Sequence, residues 1–287
     1  MLYTRIHWKV LLTASLWLAV LPFNKVSAQN EESYVGELGF TAGGAHYFGD
    51  LNTHMGLQAT KPTVGIYYRK YFNGYVGARA HFRFMQLGYS DVYNANSFQK
   101  RRNLSFNTEL YELAVQGDFN FFRFEPGSDA YRFSPYLTLG ASFFHFNPYA
   151  YYQNRKYFLQ PLRTEGQGTS RFPDRKPYQL YSYAYLIGGG VKYSLNRRLN
   201  LGVECLFRFT QTDYLDDVST TYAGIDAFAT KPDGSSTIAA ILQDRSGVTG
   251  APIGEMGRQR GNSRDKDQFA TIEVTLGILF TSYRCKF

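Results

Sequence analysis

The chain has 287 residues and a formal charge of +8, part of it contributed by the N-terminal leader, and no basic run reaches five residues. "KRR" at 100–102 is the densest such stretch, which excludes the electrostatic footprint of nucleic-acid binding. Aromatic side chains make up 17%, with 24 Tyr and 24 Phe against 2 Trp, yet the mean hydropathy is −0.34. That combination argues against a helical or α/β enzyme and for many amphipathic strands, because aromatic and β-branched side chains fit a pleated surface.

The first element is an export signal, residues 1–28. Arg5, His7 and Lys9 form a basic start, "VLLTASLWLAVLPF" an apolar centre, and "VSA" (26–28) a small-residue cleavage site. The apolar centre is short for a membrane anchor, and no other segment approaches the ~18 apolar residues of a membrane helix. An exported chain without such helices is periplasmic, secreted or an outer-membrane barrel. Cys205 and Cys285 form no CxxC, no metal spacing and no lipobox. As Cys205 falls midway along a strand and Cys285 near the end of the next, both are expected as free thiols.

After the leader the period is two. Eight segments carry it, at roughly 35–48, 62–71, 75–90, 105–124, 132–147, 180–195, 198–213 and 267–285. In the third, Val76, Ala78, Ala80, Phe82 and Phe84 lie on one face and Gly77, Arg79, His81 and Arg83 on the other. In the fourth the polar side holds Glu112, Gln116, Asp118 and Asn120. In the seventh, Leu201, Val203, Cys205, Phe207 and Phe209 oppose Glu204 and Arg208. In the eighth, Ile272, Val274, Leu276, Ile278 and Phe280 oppose Thr271, Glu273 and Thr275. Strands of about ten residues cross an outer membrane, and bacterial barrels have an even strand number.

The connections sort by length. Those after segments 2, 4 and 6 are short: "NG" (73–74), the favoured two-residue hairpin turn, "EPGSDA" (125–130) and "NRR" (196–198). Those after segments 1, 3, 5 and 7 are long, at about 49–61, 91–104, 148–179 and 214–266. This alternation belongs to an all-β fold: an eight-stranded antiparallel up-and-down transmembrane β-barrel, 29–287, with a periplasmic N-terminus and long extracellular loops.

Such a barrel is only wide enough for its own side chains. Its inward charges must pair, because an isolated buried charge is costly. Arg79 and Arg83 are expected to meet Glu112 and Asp118 on the neighbouring strand, Glu204 and Arg208 to meet Glu273, and Glu37 to close against the last strand. His81 is expected to hydrogen-bond a carboxylate. The interior is then a plugged, salt-bridged network rather than a pore.

"TQTDYLDDVSTTYAG" (210–224) packs Asp213, Asp216 and Asp217 together at the base of the longest loop. An EF-hand loop needs a Glu at its twelfth position, and here that position is Gly224. A looser calcium site stays open, but Asp and Ser structuring turns explain the segment without chemistry. "TEGQG" (164–168) lacks the spacing and Lys of a phosphate loop. His7, His46, His54, His81 and His145 show no metal-ligand spacing. A rim enzyme would need Ser142, His145 and Asp213 to converge. No catalytic residue, cofactor, metal or small-molecule substrate is assigned.

Several stretches together resemble a family: "GELGFTAGGAHYFGDLN" (36–52), "RNLSFNTELYELAVQGDFNFF" (102–122), "SPYLTLGASFFHFNP" (134–148), "TEGQG" (164–168), "TDYLDDVSTTY" (212–222) and "RGN" (260–262). They look like the PorG-type proteins of the Bacteroidetes type IX secretion system, long known only as a domain of unknown function. Asp50, Glu165, Asp213, Asp216 and Asp217 are the signature residues carried over. Thr220, where the family often has Gly, and His46, where a small polar residue is common, depart from the pattern. The resemblance implies a non-enzymatic barrel in the outer-membrane lipid, associated with a periplasmic ring of PorK-type lipoprotein and PorN-type subunits that exports signal-bearing cargo and in some organisms serves gliding. Candidate ring contacts are Asn73, Glu125, Asp129, Arg197 and Arg198 in the short turns, together with residues 29–34. The alternatives are a stand-alone barrel for adhesion or envelope integrity, and a rim enzyme.

Overall fold

The structure, a computed structural model, describes residues 34–53 and 57–281, all within one compact unit. The export signal, His54, Cys285 and the terminal Phe287 lie outside the described residues. Among the described residues there are nine strands: β1 Tyr34–Phe48, β2 Lys61–Tyr71, β3 Val76–Ser90, β4 Ser105–Asn120, β5 Phe133–Tyr152, β6 Arg155–Phe158, β7 Tyr181–Ser194, β8 Leu199–Thr210 and β9 Gln268–Thr281. Eight of them close a barrel through antiparallel neighbours in the order β1–β2–β3–β4–β5–β7–β8–β9, with β9 pairing back onto β1. The ladder leaves no free edge, so backbone polar groups are satisfied within the barrel wall, as hydrocarbon surroundings require.

The ninth strand corrects the expected 148–179 loop. β5 continues to Tyr152, turns through Gln153 (φ 49°) and Asn154 (φ 61°), and returns as β6, with Tyr149 opposite Phe158 and Tyr152 opposite Arg155. Two successive positive φ values make a hairpin turn whose twist matches the strands, and Asn tolerates that region.

The "NG" connection is also different from the two-residue hairpin expected. Neither Asn73 nor Gly74 has a positive φ. The strands stop at Tyr71 and resume at Val76, and the Asn73 side-chain oxygen accepts the N–H groups of Tyr75 and Val76, both at 2.8 Å. Asn196 closes its turn in the same way, accepting from Arg198 and Leu199 at 2.8 and 3.0 Å. A side-chain oxygen here replaces the backbone acceptor of a tighter turn.

The period of two sorts the wall. Outward residues form an apolar band that includes Leu38, Phe40, Val64, Ile66, Leu113, Leu139, Ile187, Val203, Ile272 and Val274, all exposed. Aromatic side chains border it at the short-turn end (Phe72, Phe119, Phe121, Phe122, Phe133) and toward the long-loop end (Tyr111, Phe143, Tyr181, Tyr183), all exposed. This is the lipid-facing surface and aromatic girdle of an outer-membrane type of barrel. Cys205 sits in that outer face as a free, exposed thiol. Placing a charge in the centre of the band should be costly: Val274→Arg is expected to destabilise the folded barrel by about 2–4 kcal/mol, measured by urea titration of refolding into lipid vesicles, whereas Val274→Leu should be near neutral.

A salt-bridged lumen and an acidic loop cap

Among the described residues, the barrel strands bury five cations (Arg69, Arg79, Arg83, Lys192, Arg208) and five carboxylates (Glu37, Glu112, Asp118, Glu204, Glu273). Their formal charges cancel. Strand register places like charges side by side: Arg69 opposite Arg79 on β2 and β3, and Glu204 opposite Glu273 on β8 and β9. Such cross-strand pairs are unfavourable in isolation. They are resolved by the cationic β2–β3 wall, which meets carboxylates on the neighbouring β4 and, across the lumen, on β8 and β9.

The resulting network is continuous. Glu37 pairs with Arg69 (3.0 Å), Arg69 with Asp118 (2.8 Å) and Asp118 with Arg79 (3.6 Å). Arg79 pairs in turn with Glu204. Arg83 is the hub, reaching Glu204 (3.3 Å), Glu112 (3.2 Å) and Glu273 (3.1 Å), and Glu112 continues to Arg208 (3.0 Å). Neutral donors complete the carboxylates. The Tyr71 hydroxyl and the Asn200 amide donate to Glu37, both at 2.6 Å, and Tyr67 also donates to it. Tyr136 donates to Glu204 at 2.7 Å, and Thr63 to Glu273 at 3.1 Å. Lys192 lies over the rings of Tyr136, Phe124 and Tyr71, at 4.8, 4.9 and 5.2 Å, a cation–π cage at the short-turn end. The lumen gives up side-chain volume to hold this: a Cβ on Gly277 would strike the Glu37 carboxylate, and one on Gly39 the Tyr67 ring.

Several expected pairings are different. Glu273 bonds Arg83 across the barrel rather than Arg208 beside it, and Arg208 bonds Glu112; Glu37 lies against Gly277 of the last strand and takes its cation, Arg69, from β2. His81 meets the Thr41 hydroxyl at 3.3 Å, not a carboxylate. A narrow barrel brings opposite walls within side-chain reach, so the long arginines cross it. The rim-enzyme constellation does not assemble: Ser142 points into the lumen, while His145, three residues on, lies on the opposite face of β5, its ring 4.7 Å from that of Tyr181.

Toward the long-loop end the lumen becomes apolar. Met85, Phe106, Leu110, Phe144, Phe146 and Phe269 are buried together, with Leu51, Leu104, Leu159, Leu215, Val218 and Leu242 from the loops above them. Arg208 lies 5.3 Å over the Phe269 ring, where the charged layer meets this plug.

Above the plug the loops make a polar cap, and Asp50, Glu165, Asp213, Asp216 and Asp217 all lie in it. Glu165 accepts from the backbone N–H groups of Ser219 (2.9 Å) and Thr220 (3.0 Å), the Thr220 hydroxyl (2.6 Å) and Arg260 (3.1 Å). Asp217, in the left-handed region at φ 67°, accepts from Tyr178 at 2.7 Å and from Thr164. Asp216 and Asp267 meet at the Tyr47 hydroxyl, at 2.6 and 2.8 Å. Asp213 accepts from Ser219, and Asp50 from the Asn262 backbone N–H at 2.8 Å. Arg102 holds Asp91 with two bonds of 2.7 Å and also donates to the backbone oxygens of Asp50 and Arg260. Turn chemistry thus accounts for the aspartates. No group of three or more His, Cys, Asp or Glu among the described residues is arranged to hold a metal. Arg69, Lys192, Asp91, Arg102, Arg260 and Asp267 belong to these two constellations beyond the residues singled out from the sequence. The inward parity of Arg69 and Lys192 was available in the strand pattern; the loop contacts were not.

Of the short-turn residues, Arg197 and Arg198 are exposed, Asp129 is exposed and paired with Arg132, and Glu125 is half-buried and paired with Arg123. Asn73 spends its oxygen on its own turn.

Burial pushes the Asp213 carboxyl up to about 7 and those of Asp50 and Asp217 up to about 6. Asp216 and Asp267 are raised well above the ordinary range, first by burial and then by neighbouring carboxylates. Because these folded-state values exceed the unfolded value of about 4, protonation binds preferentially to the folded cap. The stability it supplies is full below about pH 4 and is lost as pH rises through about 6 to 7. Amide protection factors in 211–267 should fall between about pH 5 and pH 8 while those of the barrel strands stay constant, and Asp213→Asn should flatten that dependence. In the lumen, Arg83→Met leaves Glu273 without a cation and should cost about 3–5 kcal/mol in vesicle refolding. Adding Glu273→Gln should recover part of it, since the orphaned charge is then removed.

No curated protein sequence matches the chain. Among solved structures, Neisserial surface protein A aligns with a TM-score of 0.41 at 11% identity, over 85% of this chain and 97% of that one. Ail, the attachment invasion locus protein of Yersinia pestis, gives 0.38 at 11% identity over 86% and 99%, and OprG from Pseudomonas aeruginosa 0.37 at 9% identity over 87% and 98%. The family described as Domain of unknown function (DUF6089) matches residues 16–228, and the chain belongs to that family.

Proposed function

We propose that this barrel is a non-enzymatic outer-membrane component of a type IX secretion machine that anchors or stabilises the periplasmic ring, with the short turns on the periplasmic side and the loop cap outside. The sequence resemblance to PorG-type proteins motivates the reading. The observation that carries it is the closed lumen: a neutralised ionic network beneath an apolar plug makes a rigid anchor and gives no conduit for cargo. On this reading ring subunits of the PorK and PorN types contact the short-turn end. Arg197 and Arg198 are the candidates with freely exposed charge, and Asp129 and Glu125 are already engaged by arginines. Small turns give little area, so residues 29–34 and the flanking lipid-facing aromatics belong to the same candidate surface.

A stand-alone envelope or adhesion barrel is the second reading, and the hydrogen-bonded cap favours it to the extent that ordered loops present a fixed outer face. Deleting the gene separates the two. Cargo bearing C-terminal signals should then accumulate in the periplasm, and a photo-cross-linker at Arg197 or Arg198 should capture ring subunits in native membranes. Normal export in the deletion strain would sink the secretion reading. Loss of surface attachment with intact export would favour the second.

A further inference from the structure

A cleft of about 310 Å³ opens at the long-loop end, between the first, second and fourth loops. It is bounded by Asp50 and Thr53, by the short helix Ser97–Arg102 and its Asn96 cap, and by 259–262. Two stretches distant in sequence, "GDLN" (49–52) and "RGN" (260–262), are brought together to form it. The Asn262 backbone N–H bonds the Asp50 carboxylate at 2.8 Å, and Arg102 donates to the backbone oxygens of both Asp50 and Arg260, at 2.9 and 2.6 Å. The walls are therefore fixed by the cap rather than formed by loose loop ends.

The lining is unusual for a ligand cleft, which is commonly apolar with a few polar groups. Here four of the ten lining residues, Asn96, Gln99, Gln259 and Asn262, carry side-chain amides. Gln99 is 8% exposed and donates through its amide nitrogen to Thr53 at 3.2 Å, but its Oε1 is buried and accepts no hydrogen bond. Such an orphaned acceptor costs stability unless a donor reaches it. Gln259 is exposed and lines the cleft. The Asn96 oxygen caps the helix through the Phe98 N–H at 2.8 Å, which leaves its NH₂ group as a donor. Phe98 supplies the one aromatic wall, with Arg258 5.4 Å over its ring.

Those groups discriminate between ligand classes. An apolar ligand would strip water from several amides and return nothing. An anion would meet Asp50. The two guanidinia at the base, Arg102 and Arg260, are already spent on Asp91, Glu165 and Asp217. A ring of hydroxyls fits, because each hydroxyl both donates and accepts: it can give a hydrogen to Asp50, and to Gln99 Oε1 once that side chain rotates toward the cleft, take one from Asn96 or Gln259, and lay its C–H face against an aromatic. We infer that the cleft between Asp50, Gln99, Gln259 and Phe98 binds a saccharide unit. At the cell surface that sugar can come from a glycolipid headgroup or from a free glycan; the chemistry recognised is the same.

The test uses the full mature protein in lipid nanodiscs. Saturation-transfer NMR with glucose, galactose, mannose and N-acetylglucosamine at millimolar concentration reads binding of free sugar, and co-purification with lipopolysaccharide from the producing strain reads the headgroup. Gln259→Ala, an exposed position, should weaken binding about threefold to tenfold with an unchanged melting temperature, and Gln99→Met should do the same. Lys231→Ala, on an exposed part of the fourth loop outside the cleft lining, should have no effect. Transfer to free hexoses identifies a free-glycan site, and binding of lipopolysaccharide alone identifies a headgroup site; either supports the inference. Absence of both, or binding that Gln259→Ala and Gln99→Met leave unchanged, overturns it.

Discussion

Charge neutrality inside a tube too narrow for bulk water is the constraint on which the rest of this structure depends. Ten ionised groups buried in a barrel of eight strands would each be expensive alone. Register makes matters worse locally, since it sets Arg69 beside Arg79 and Glu204 beside Glu273. The solution is transverse. Arg79 and Arg83 on β3 reach across to carboxylates on β8 and β9, and Arg83 also keeps the ladder-opposite Glu112 on β4, so that it serves three at once. Each cross-lumen pair ties strands that share no ladder, so the network braces the wall from inside while the backbone ladder closes it.

The two ends of the lumen are finished differently. Near the short turns, Lys192 lies over three aromatic rings and Glu37 collects hydroxyl and amide donors. Toward the long loops the filling turns apolar, and the loops fold onto it with a small core of their own. Above that core, acids from four separate segments are held by Arg102, Arg260, hydroxyls and backbone N–H groups. The cap is therefore an extension of the barrel interior, and its carboxyls stay protonated more readily than exposed ones because burial opposes their charge.

Much of the barrel was legible because a strand repeats every two residues. That single rule gives the inward face of Arg79, His81, Arg83, Glu112, Asp118, Glu204, Arg208 and Glu273, and the same parity separates Ser142 from His145. Applied to "TVGIYYRKY", it also selects Arg69 over Lys70. What parity cannot give is the partner. Whether Arg208 bonds Glu273 beside it or Glu112 across the lumen depends on the tilt and stagger of the closed sheet, which no local pattern encodes. The β5–β6 hairpin was signalled only by Gln153–Asn154 between aromatic residues, and it was missed inside a long loop. The Asn73 turn was misread because Asn-Gly favours a two-residue hairpin, whereas here the Asn side chain closes a longer one. The cap was illegible in detail, since it joins residues 50, 102, 165, 217 and 260 through contacts that only the closed barrel brings within reach.

The ionic network and the apolar plug together fill the lumen. Single-channel recording of the purified mature barrel in planar bilayers tests it most directly. No steady conductance is expected from the native protein, and none after removal of the outer cap segment 214–266 alone, because the Arg83 network remains beneath. A stable, ohmic conductance from the intact barrel would contradict it.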